Sequence, residues 1–277
     1  MNPFFSVVIP TLNEENYLPR LLKDLGKQAY QNFEVLIVDG YSLDETIEKA
    51  KEYQKTLPLR LFESNKKNVS AQRNFGATQA KGKYLVFLDA DTRIKPTFLK
   101  KLLNSIEKNK GLLFIPYITT EKNDSEYKPL LDLSNLLVEF SQNIKRRFSL
   151  GGAIIAEKHF FELVGGFNEK IYLSEDHELV QRMAQWGVNA KFMRDNQVTF
   201  CLRRIKKEGQ IKFFYKYFVA ASRRFILNEE IKNKIFEYNM GGQFYAQDKK
   251  TKNEFFFQKY AQDIKLLFKK VLKELGS

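Results

Sequence analysis

The sequence predicts an α/β protein whose mostly parallel sheet is flanked by helices. Along the first 92 residues, short apolar runs alternate with segments in which apolar residues recur at helical spacing. Strands without polar alternation are typical of a sheet that is buried on both faces. Strands that alternate with helices are joined by right-handed crossovers, which make such a sheet parallel.

The N-terminal part contains four predicted strands and three predicted helices. The strands are expected at residues 4–10, 33–39, 59–63 and 84–88. The helices are expected at residues 13–25, 42–54 and 69–80. Pro10 ends the first strand because proline cannot donate to the ladder of a sheet. Asn13 is a favoured N-cap residue, and we expect it to start the first helix.

The following part continues with three helices and four strands. The helices are expected at residues 96–108, 127–148 and 174–186. The strands are expected at residues 112–118, 151–156, 188–193 and 198–202. Ser174 caps the last of these helices and Gly187 ends it. Gly151 and Gly152 lead a strand, where the missing side chains allow a ligand to approach the backbone closely.

The last quarter of the chain differs in composition. The formal net charge is +13, and residues 201–277 contain 18 Lys and Arg against 8 Asp and Glu. Aromatic residues interleave with the basic ones at helical spacing. Two interpretations stay open for this basic aromatic extension. Its helices either pack on the core with a solvated basic face, or serve as amphipathic membrane-surface segments or as a partner interface.

Cysteine usage and hydropathy indicate a cytoplasmic protein. Cys201 is the single cysteine, which excludes an internal disulfide framework. No apolar run approaches the roughly 20 residues that a transmembrane helix needs. The N-terminus begins a strand almost at once, so we expect no signal peptide.

Three of the predicted strands end in polar residues at the same edge of the sheet. Thr11 follows the first strand, Asp39 ends the second, and Asp89 and Asp91 follow the fourth. Open α/β sheets bind ligands at this carboxyl edge, and two carboxylates one residue apart suit a shared hard cation. The alternative is a solvated aspartate turn. No G-x-G-x-x-G follows the first strand and no Walker motif occurs, which disfavours dehydrogenases and P-loop proteins.

Taken in order, six sequence blocks resemble those of the family 2 inverting glycosyltransferases. The blocks are residues 7–14, 35–46, 72–76, 87–92, 165–167 and 174–179. The resemblance covers residues 4 to about 204. It implies a GT-A-type fold, a mixed and mostly parallel sheet with a C-terminal helical extension. A catalytic domain would span 1–204, with a nucleotide-binding half at about 1–92 and an acceptor-binding half at about 93–204. The extension would span 205–277.

The resemblance also implies roles for individual residues. Asp176 would be the catalytic base, with Glu175 beside it. Asp91 would be the principal metal ligand, and Asp89 would lie near the ribose and the metal, which is Mn²⁺ or Mg²⁺. The nucleotide sugar would be bound by residues from all three strand ends and from the glycine-led strand: Pro10, Thr11, Asn13, Glu14, Asp39, Gly40, Arg73, Asp89, Ala90, Gly151 and Gly152.

These roles describe a metal-dependent hexosyltransferase that uses a UDP-, GDP- or TDP-type donor. The acceptor would be a glycan or lipid-linked hydroxyl, in the synthesis of a cell-surface glycan, polysaccharide or glycolipid. The protein would be cytoplasmic or peripheral on the inner face of the membrane. One alternative is a catalytically inactive nucleotide-sugar-binding protein. Another is a nucleic-acid binder, which the charge suggests but no RNA-binding signature supports.

Overall fold

The computed structural model describes residues 2–143, 147, 149, 151–171, 174–203 and 206. The predictions for the basic aromatic extension lie outside these residues, except at Lys206. The predicted helix at 127–148 also extends partly outside them. Of the described residues, those up to 169 and those from 174 to 201 form one compact unit, and residues 170, 171, 202, 203 and 206 are assigned to a second. The predicted domain division stays a prediction.

Eight strands in the described residues form one sheet. They are β1 (Phe5–Thr11), β2 (Phe33–Asp39), β3 (Leu59–Glu63), β4 (Tyr84–Leu88), β5 (Arg93–Ile94), β6 (Leu113–Thr120), β7 (Ala153–Glu157) and β8 (Lys191–Phe200). The order is β3-β2-β1-β4-β7-β6-β8-β5. The pairs of β1 with β2 and β4, of β2 with β3, and of β6 with β8 are parallel. The remaining pairs are antiparallel. The predicted mixed, mostly parallel sheet is confirmed.

Helices connect these strands. They are α1 (Leu18–Gly26), α2 (Thr46–Glu52), α3 (Val69–Gln79), α4 (Phe98–Asn109), α5 (Lys128–Ser141), α6 (Lys158–Leu163) and α7 (Glu175–Gln185). Short 3₁₀ turns follow α2 and precede α5 at Tyr53–Lys55 and Lys122–Tyr127. Among the described residues, no helix is both long and apolar enough to cross a membrane.

Apolar side chains cover both faces of the sheet, as the uninterrupted apolar strands predict. Val7 and Ile9 of β1 belong to a buried cluster that also contains the leucines of α1 and α4. Val8, between them, belongs to a second cluster that also contains residues of α6 and α7. Because successive strand side chains point to opposite faces, these clusters lie on the two sides of the sheet. The sheet therefore leaves its strand ends, not its faces, for a site.

The antiparallel pairing of β4 with β7 brings two distant segments to the same edge. Leu88, at the end of β4, pairs with Ala153, at the start of β7. Just beyond this pair, the Asp89 N–H donates to the Gly152 carbonyl at 3.0 Å. The segment that carries the D-x-D aspartates therefore lies directly against the Gly151–Gly152 segment.

Four sequence-based expectations are wrong in detail. Pro10 does not end the first strand, because β1 continues to Thr11 and Pro10 pairs with Val38 inside it. Asn13 is not the N-cap of α1, because Tyr17 occupies that position and Asn13 has a positive φ of 54°. The predicted strands at 188–193 and 198–202 are one strand, β8, whose register with β6 shifts after Met193. Gly151 and Gly152 precede β7 instead of starting it, and Gly152 has a φ of +93°.

Candidate active site

Three neighbouring parallel strands bring the predicted polar residues together at one sheet edge. β2, β1 and β4 are adjacent in the sheet. Thr11 pairs in register with Asp39 at the ends of β1 and β2, and Asp89 follows β4. Parallel strands place their carboxyl ends at a common edge, so these residues converge without any contact being specified in the sequence.

Asp39 is the centre of a buried polar cluster at the end of β2. Its Oδ1 accepts hydrogen bonds from Thr11 Oγ1 at 2.9 Å and from Ser42 Oγ at 2.5 Å. Its Oδ2 accepts the Ser42 N–H at 2.7 Å. A carboxylate has about four acceptor positions. Three are therefore occupied, and one on Oδ2 remains for another donor, although Asp39 is only 2% exposed.

Asn13 belongs to the same cluster. Its N–H donates to Ser42 Oγ at 2.8 Å, and its Oδ1 accepts the Leu43 N–H at 2.6 Å. The second bond fixes which end of the amide is the oxygen. Within the described residues, the amide nitrogen Nδ2 has no hydrogen-bond partner although it is buried. Because an unsatisfied buried donor is costly, this nitrogen is suited to a polar ligand.

Backbone contacts around the cluster fix the other residues predicted to bind nucleotide. Gly40 N–H donates to the Thr11 carbonyl at 2.8 Å. Gln72 Nε2 donates to the carbonyls of Thr11 and Val38, both at 2.8 Å, which joins α3 to β1 and β2. A Cβ at Gly40 would lie 3.0 Å from that nitrogen. Pro10 and Glu14 are buried on either side, and Glu14 N–H donates to Thr46 Oγ1 at 2.7 Å.

The D-x-D segment forms a tight turn after β4. The N–H and the hydroxyl of Thr92 both donate to the Asp89 carbonyl, at 3.0 and 2.7 Å. Ala90 is buried, whereas Asp89 and Asp91 are partly exposed. The turn therefore presents two carboxylates to solvent at the sheet edge.

Arg73 connects this turn with the start of α7. Its Nη2 lies 2.7 Å from Asp89 Oδ1 and its Nη1 lies 2.8 Å from Glu175 Oε1. The Arg73 side chain is 6% exposed. Burial alone would lower its pKa, but the two carboxylates outweigh burial and raise the pKa above its ordinary value. Arg73 is therefore a permanent buried cation that holds both acids.

Glu175 and Asp176 occupy the first turn of α7, where the helix dipole favours acids. Ser174 is the N-cap residue as predicted, but its side chain makes no capping bond and its φ is 69°. Burial raises the pKa of Glu175, and the charge of Arg73 lowers it. Because the neighbouring charge of Asp176 adds to the effect of burial, the pKa of Glu175 stays above its ordinary value. Glu175 is a carboxylate whose position is fixed by Arg73.

Asp176 is 6% exposed and lies beside His177 and Gly151. Its Oδ2 lies 3.2 Å from His177 Nδ1, and the Ser149 backbone nitrogen lies 3.1 Å from the same ring nitrogen. Burial raises the pKa of Asp176, but His177 and Arg73 outweigh burial and hold the pKa below its ordinary value. An ionised carboxylate can accept a proton, so Asp176 is chemically suited to act as a base. A Cβ at Gly151 would lie 3.8 Å from Asp176 Oδ2.

The donor atoms of the turn fit a cation that a ligand helps to hold. Within the described residues, no group of three or more His, Cys, Asp or Glu side chains could bind a metal alone. Asp89 Oδ1 is already bound to Arg73, so the candidate donor atoms of the turn are Asp89 Oδ2 and the Asp91 carboxylate oxygens. Carboxylate oxygens suit Mg²⁺ and Mn²⁺, and both ions complete their coordination with phosphate and water.

The structure thus brings the predicted residues together as two groups beside α3, where Gln72 contacts the first group and Arg73 holds the second. One group surrounds Asp39, and the other consists of Asp89, Asp91 and the start of α7. Ser42, Gln72 and Thr46 were not predicted as site residues, yet each supports one that was. All three lie inside the sequence blocks that carry the family resemblance, which was the available signal.

Comparison with known proteins agrees with this architecture. The family model described as glycosyl transferase family 2 matches residues 6–162. A relative named "Uncharacterized glycosyltransferase" from Haemophilus influenzae is 27% identical over 208 residues, which cover 74% of this chain and 70% of the relative. Poly(ribitol-phosphate) beta-N-acetylglucosaminyltransferase TarS from Staphylococcus aureus is 37% identical over 100 residues, 35% of this chain and 18% of TarS.

Solved structures share the fold. The mannosyltransferase PcManGT from Pyrobaculum calidifontis, in complex with GDP-Man and Mn²⁺, matches with a TM-score of 0.64 and 21% identity, over 80% of this chain and 65% of that one. S. aureus TarS residues 1–349 in complex with UDP match with a TM-score of 0.58 and 19% identity, over 83% of this chain and 76% of that one.

Proposed function

The chain belongs to glycosyl transferase family 2 and is a glycosyltransferase with a GT-A-type fold. From this premise we propose that it transfers a hexose-type sugar from a nucleotide sugar to an acceptor hydroxyl. The reaction proceeds with inversion at the anomeric carbon and depends on a divalent cation. The observation that carries the proposal is the Arg73 bridge, because it joins the D-x-D turn to the acids of α7 in one buried network.

The cluster around Asp39 binds the base and ribose of the donor in this proposal. The remaining acceptor position on Asp39 Oδ2 takes one N–H, and Asn13 Nδ2 supplies a donor for a carbonyl oxygen. The donor is of the UDP, GDP or TDP type. Support comes from the related folds, since TarS is described in complex with UDP-GlcNAc and PcManGT in complex with GDP-Man.

Asp91 and Asp89 hold the cation together with the donor diphosphate. A divalent cation at this position, Mn²⁺ or Mg²⁺, neutralises charge on the leaving nucleoside diphosphate. Arg73 keeps Asp89 in place and adds a fixed positive charge at the same edge. The Gly151–Gly152 segment borders the sugar. At Gly151 the absence of a side chain leaves room for a ligand, whereas at Gly152 the Phe200 ring takes that space.

Asp176 acts as the general base. The acceptor hydroxyl gives its proton to the Asp176 carboxylate while its oxygen attacks the anomeric carbon opposite the leaving group. The bond from that carbon to the diphosphate oxygen breaks with its electron pair, and the configuration inverts. Help of this kind is typically worth about 10²–10⁴-fold. Glu175 stays paired with Arg73 and contacts donor or acceptor.

For the acceptor we propose a hydroxyl of a cell-surface glycan, polysaccharide or glycolipid. Relatives support this class: TarS is named for poly(ribitol-phosphate), and a 28% identical relative from Pasteurella multocida is named chondroitin synthase. The chain covers 20% of that synthase, so only the class is carried over. A cytoplasmic enzyme that associates peripherally with an anionic membrane through its basic extension would reach a lipid-linked acceptor.

A donor screen tests the proposal. Purified protein is mixed with Mn²⁺ and with UDP-, GDP- or TDP-sugars. The thermal shift is measured first, and release of the nucleoside diphosphate is measured second. We expect the sugars of one nucleotide class to raise the melting temperature in the presence of Mn²⁺. Without an acceptor, we expect slow hydrolysis of the same nucleotide sugar, with release of its nucleoside diphosphate. Tight binding without release over a broad acceptor panel would favour the inactive nucleotide-sugar-binding protein instead.

A further inference from the structure

The turn between α6 and α7 contacts the residue that follows Arg73 in α3. The side-chain amide of Asn74 pairs with both backbone groups of Phe167. Nδ2 donates to the Phe167 carbonyl and the Phe167 N–H donates to Oδ1, each at 2.8 Å. We name this pair of bonds the Asn74–Phe167 clamp. Because it uses both ends of the amide, it fixes Phe167 relative to α3.

Two neighbours show that the turn is built around this clamp. A Cβ at Gly166 would lie 2.7 Å from Asn74 Oδ1, and Gly166 has a φ of +66°, so a side chain there would displace the amide. From the other side, Arg182 of α7 donates to the Gly166 carbonyl at 2.7 Å and also to the Val164 carbonyl. The turn is therefore held between α3 and α7.

The ring of Phe167 lies against Arg73. The guanidinium carbon of Arg73 is 5.1 Å from the ring centroid, within the range of cation–π contacts. The ring is buried and packs edge-on against Phe87, with centroids 5.1 Å apart. Arg73 Nη1 and Nη2 bind the two acids, whereas its Nε has no hydrogen-bond partner in the described residues. The ring therefore contacts the guanidinium group in addition to the two acids.

We propose that the Asn74–Phe167 clamp is a positioning device for the transfer reaction. It holds the Phe167 ring against Arg73, and Arg73 in turn keeps Asp89 and Glu175 in place beside Asp176. Asn74 and Phe167 are positioning residues that touch no substrate. The inference rests on the proposed function for its effect on turnover, but the contact between Phe167 and Arg73 is testable without turnover.

The chain contains a matched control for the clamp. Asn135 of α5 pairs with both backbone groups of Ile118 in β6, at 2.9 and 2.8 Å, and is fully buried. Asn74→Ala and Asn135→Ala therefore each remove one side-chain amide that makes two hydrogen bonds with the backbone of a single residue. We expect both to lower the melting temperature. We expect only Asn74→Ala to lower kcat, by about 100-fold, because small misplacements of catalytic groups have effects of this size.

Turnover is measured as nucleoside diphosphate release from UDP-GlcNAc or GDP-mannose with Mn²⁺, using the donor that the unmodified protein accepts. The KM for the donor is expected to rise by a smaller factor than kcat falls, since Asp39 and its partners are untouched and only Asp89 is displaced through Arg73. Equal loss of kcat in folded Asn74→Ala and Asn135→Ala would mean a merely structural role and would overturn the proposal.

A second measurement needs no activity. In protein labelled with ¹⁵N-arginine, the Arg73 Nε–H signal is identified by its loss in Arg73→Lys. We expect it to be displaced by the Phe167 ring current, and to shift in Asn74→Ala but not in Asn135→Ala. If Asn74→Ala does not fold, Phe167→Leu replaces it as the test variant, because leucine keeps an apolar side chain. Loss of the ring in Phe167→Leu must remove the ring-current displacement of the Arg73 Nε–H chemical shift. An unchanged signal in Asn74→Ala or Phe167→Leu overturns the inference. A protein that turns over no donor refutes the proposed function alone.

Discussion

Arg73 and Glu175 form an ion pair at 2.8 Å although 102 residues separate them in the sequence. The pair connects α3 with α7, the helix that carries the proposed base. Because the pair is buried, removing one member would leave the other charge uncompensated and would destabilise the protein. Glu175, next to the proposed base Asp176, is therefore held in place by a residue of α3.

Asp176→Asn is expected to lower kcat by about 10²–10⁴-fold, the usual contribution of a general base. The amide has the shape of the carboxylate but cannot accept the acceptor's proton. Donor binding should persist, so the KM for the donor changes little. Asp132→Asn, on the surface of α5, is the control because Asp132 pairs only with Lys128. Steady-state kinetics with full activity in Asp176→Asn would exclude Asp176 as the base.

Asp91→Ala is expected to weaken metal binding more than nucleotide binding. Arg73 binds Asp89, whereas Asp91 is the principal metal ligand of the proposed site. We therefore expect the Mn²⁺ concentration for half-maximal turnover to rise at least tenfold, while Asp89→Ala mainly weakens nucleotide affinity. Titration with Mn²⁺ at saturating nucleotide measures the first effect and calorimetry the second. Identical Mn²⁺ titrations for the unmodified protein and Asp91→Ala would contradict the assignment.

The pH profile of turnover should lack an acid limb near neutrality. Asp176 must be ionised to act as a base, and its pKa is held below the ordinary value. Turnover is therefore retained as the pH falls and is lost only when the pH passes through this lowered pKa. In His177→Gln one cause of the lowering is gone, so the acid limb moves to higher pH. Initial rates measured from pH 4 to 8 decide this, and an acid limb that stays in place in His177→Gln contradicts it.

Glu34 lies near the start of β2, away from the strand ends that carry the candidate site. We expect it to make the stability of the protein depend on pH. Burial raises its pKa, but bonds from Ser6 Oγ, the Lys81 N–H and Arg60 outweigh burial and lower it. A lowered folded-state pKa stabilises the protein above the unfolded-state value, and this contribution is lost as the pH falls through the folded-state value. Glu34→Gln should therefore reduce the unfolding free energy by about 1–3 kcal/mol at pH 7, and less at pH 3.

Urea unfolding at both pH values measures this effect. Glu48→Gln, at an exposed position of α2, is the matched control and should change the unfolding free energy little at either pH. A loss in Glu34→Gln that is the same at pH 7 and pH 3 would show that ionisation of Glu34 does not contribute.

Sequence patterns predicted the strands well where burial on both faces leaves only apolar residues, as in β1, β2 and β4. They missed β5 and α6 because two and six residues are too few to show a period. They divided β8 in two because Arg194, Asp195 and Asn196 interrupt its apolar residues. In the structure these three residues accommodate a shift in register against β6, and Asn196 donates to the Phe98 carbonyl at 3.0 Å.

The site was predictable as far as chain order determines it. Parallel strands bring Thr11, Asp39 and Asp89 to one edge whatever their side chains contact. The pairing of Arg73 with Glu175 was not predictable in this way, because no periodicity relates a helix near residue 73 to one near residue 175. Asn13 was mistaken for a helix cap because capping and loop closure use the same side-chain oxygen, which here accepts the Leu43 N–H.

The two glycines before β7 face different limits on substitution. A Cβ at Gly152 would lie 2.5 Å from the Phe200 ring, at a φ that L-residues rarely adopt. In a saturation library, position 152 should therefore return glycine alone. Position 151 has room, and the methyl of Gly151→Ala would stand 3.8 Å from Asp176 Oδ2. Gly151→Ala reduces the space beside the proposed base and changes no charge. The sizes of acceptor that the variant still accepts would therefore show how closely the acceptor approaches Asp176.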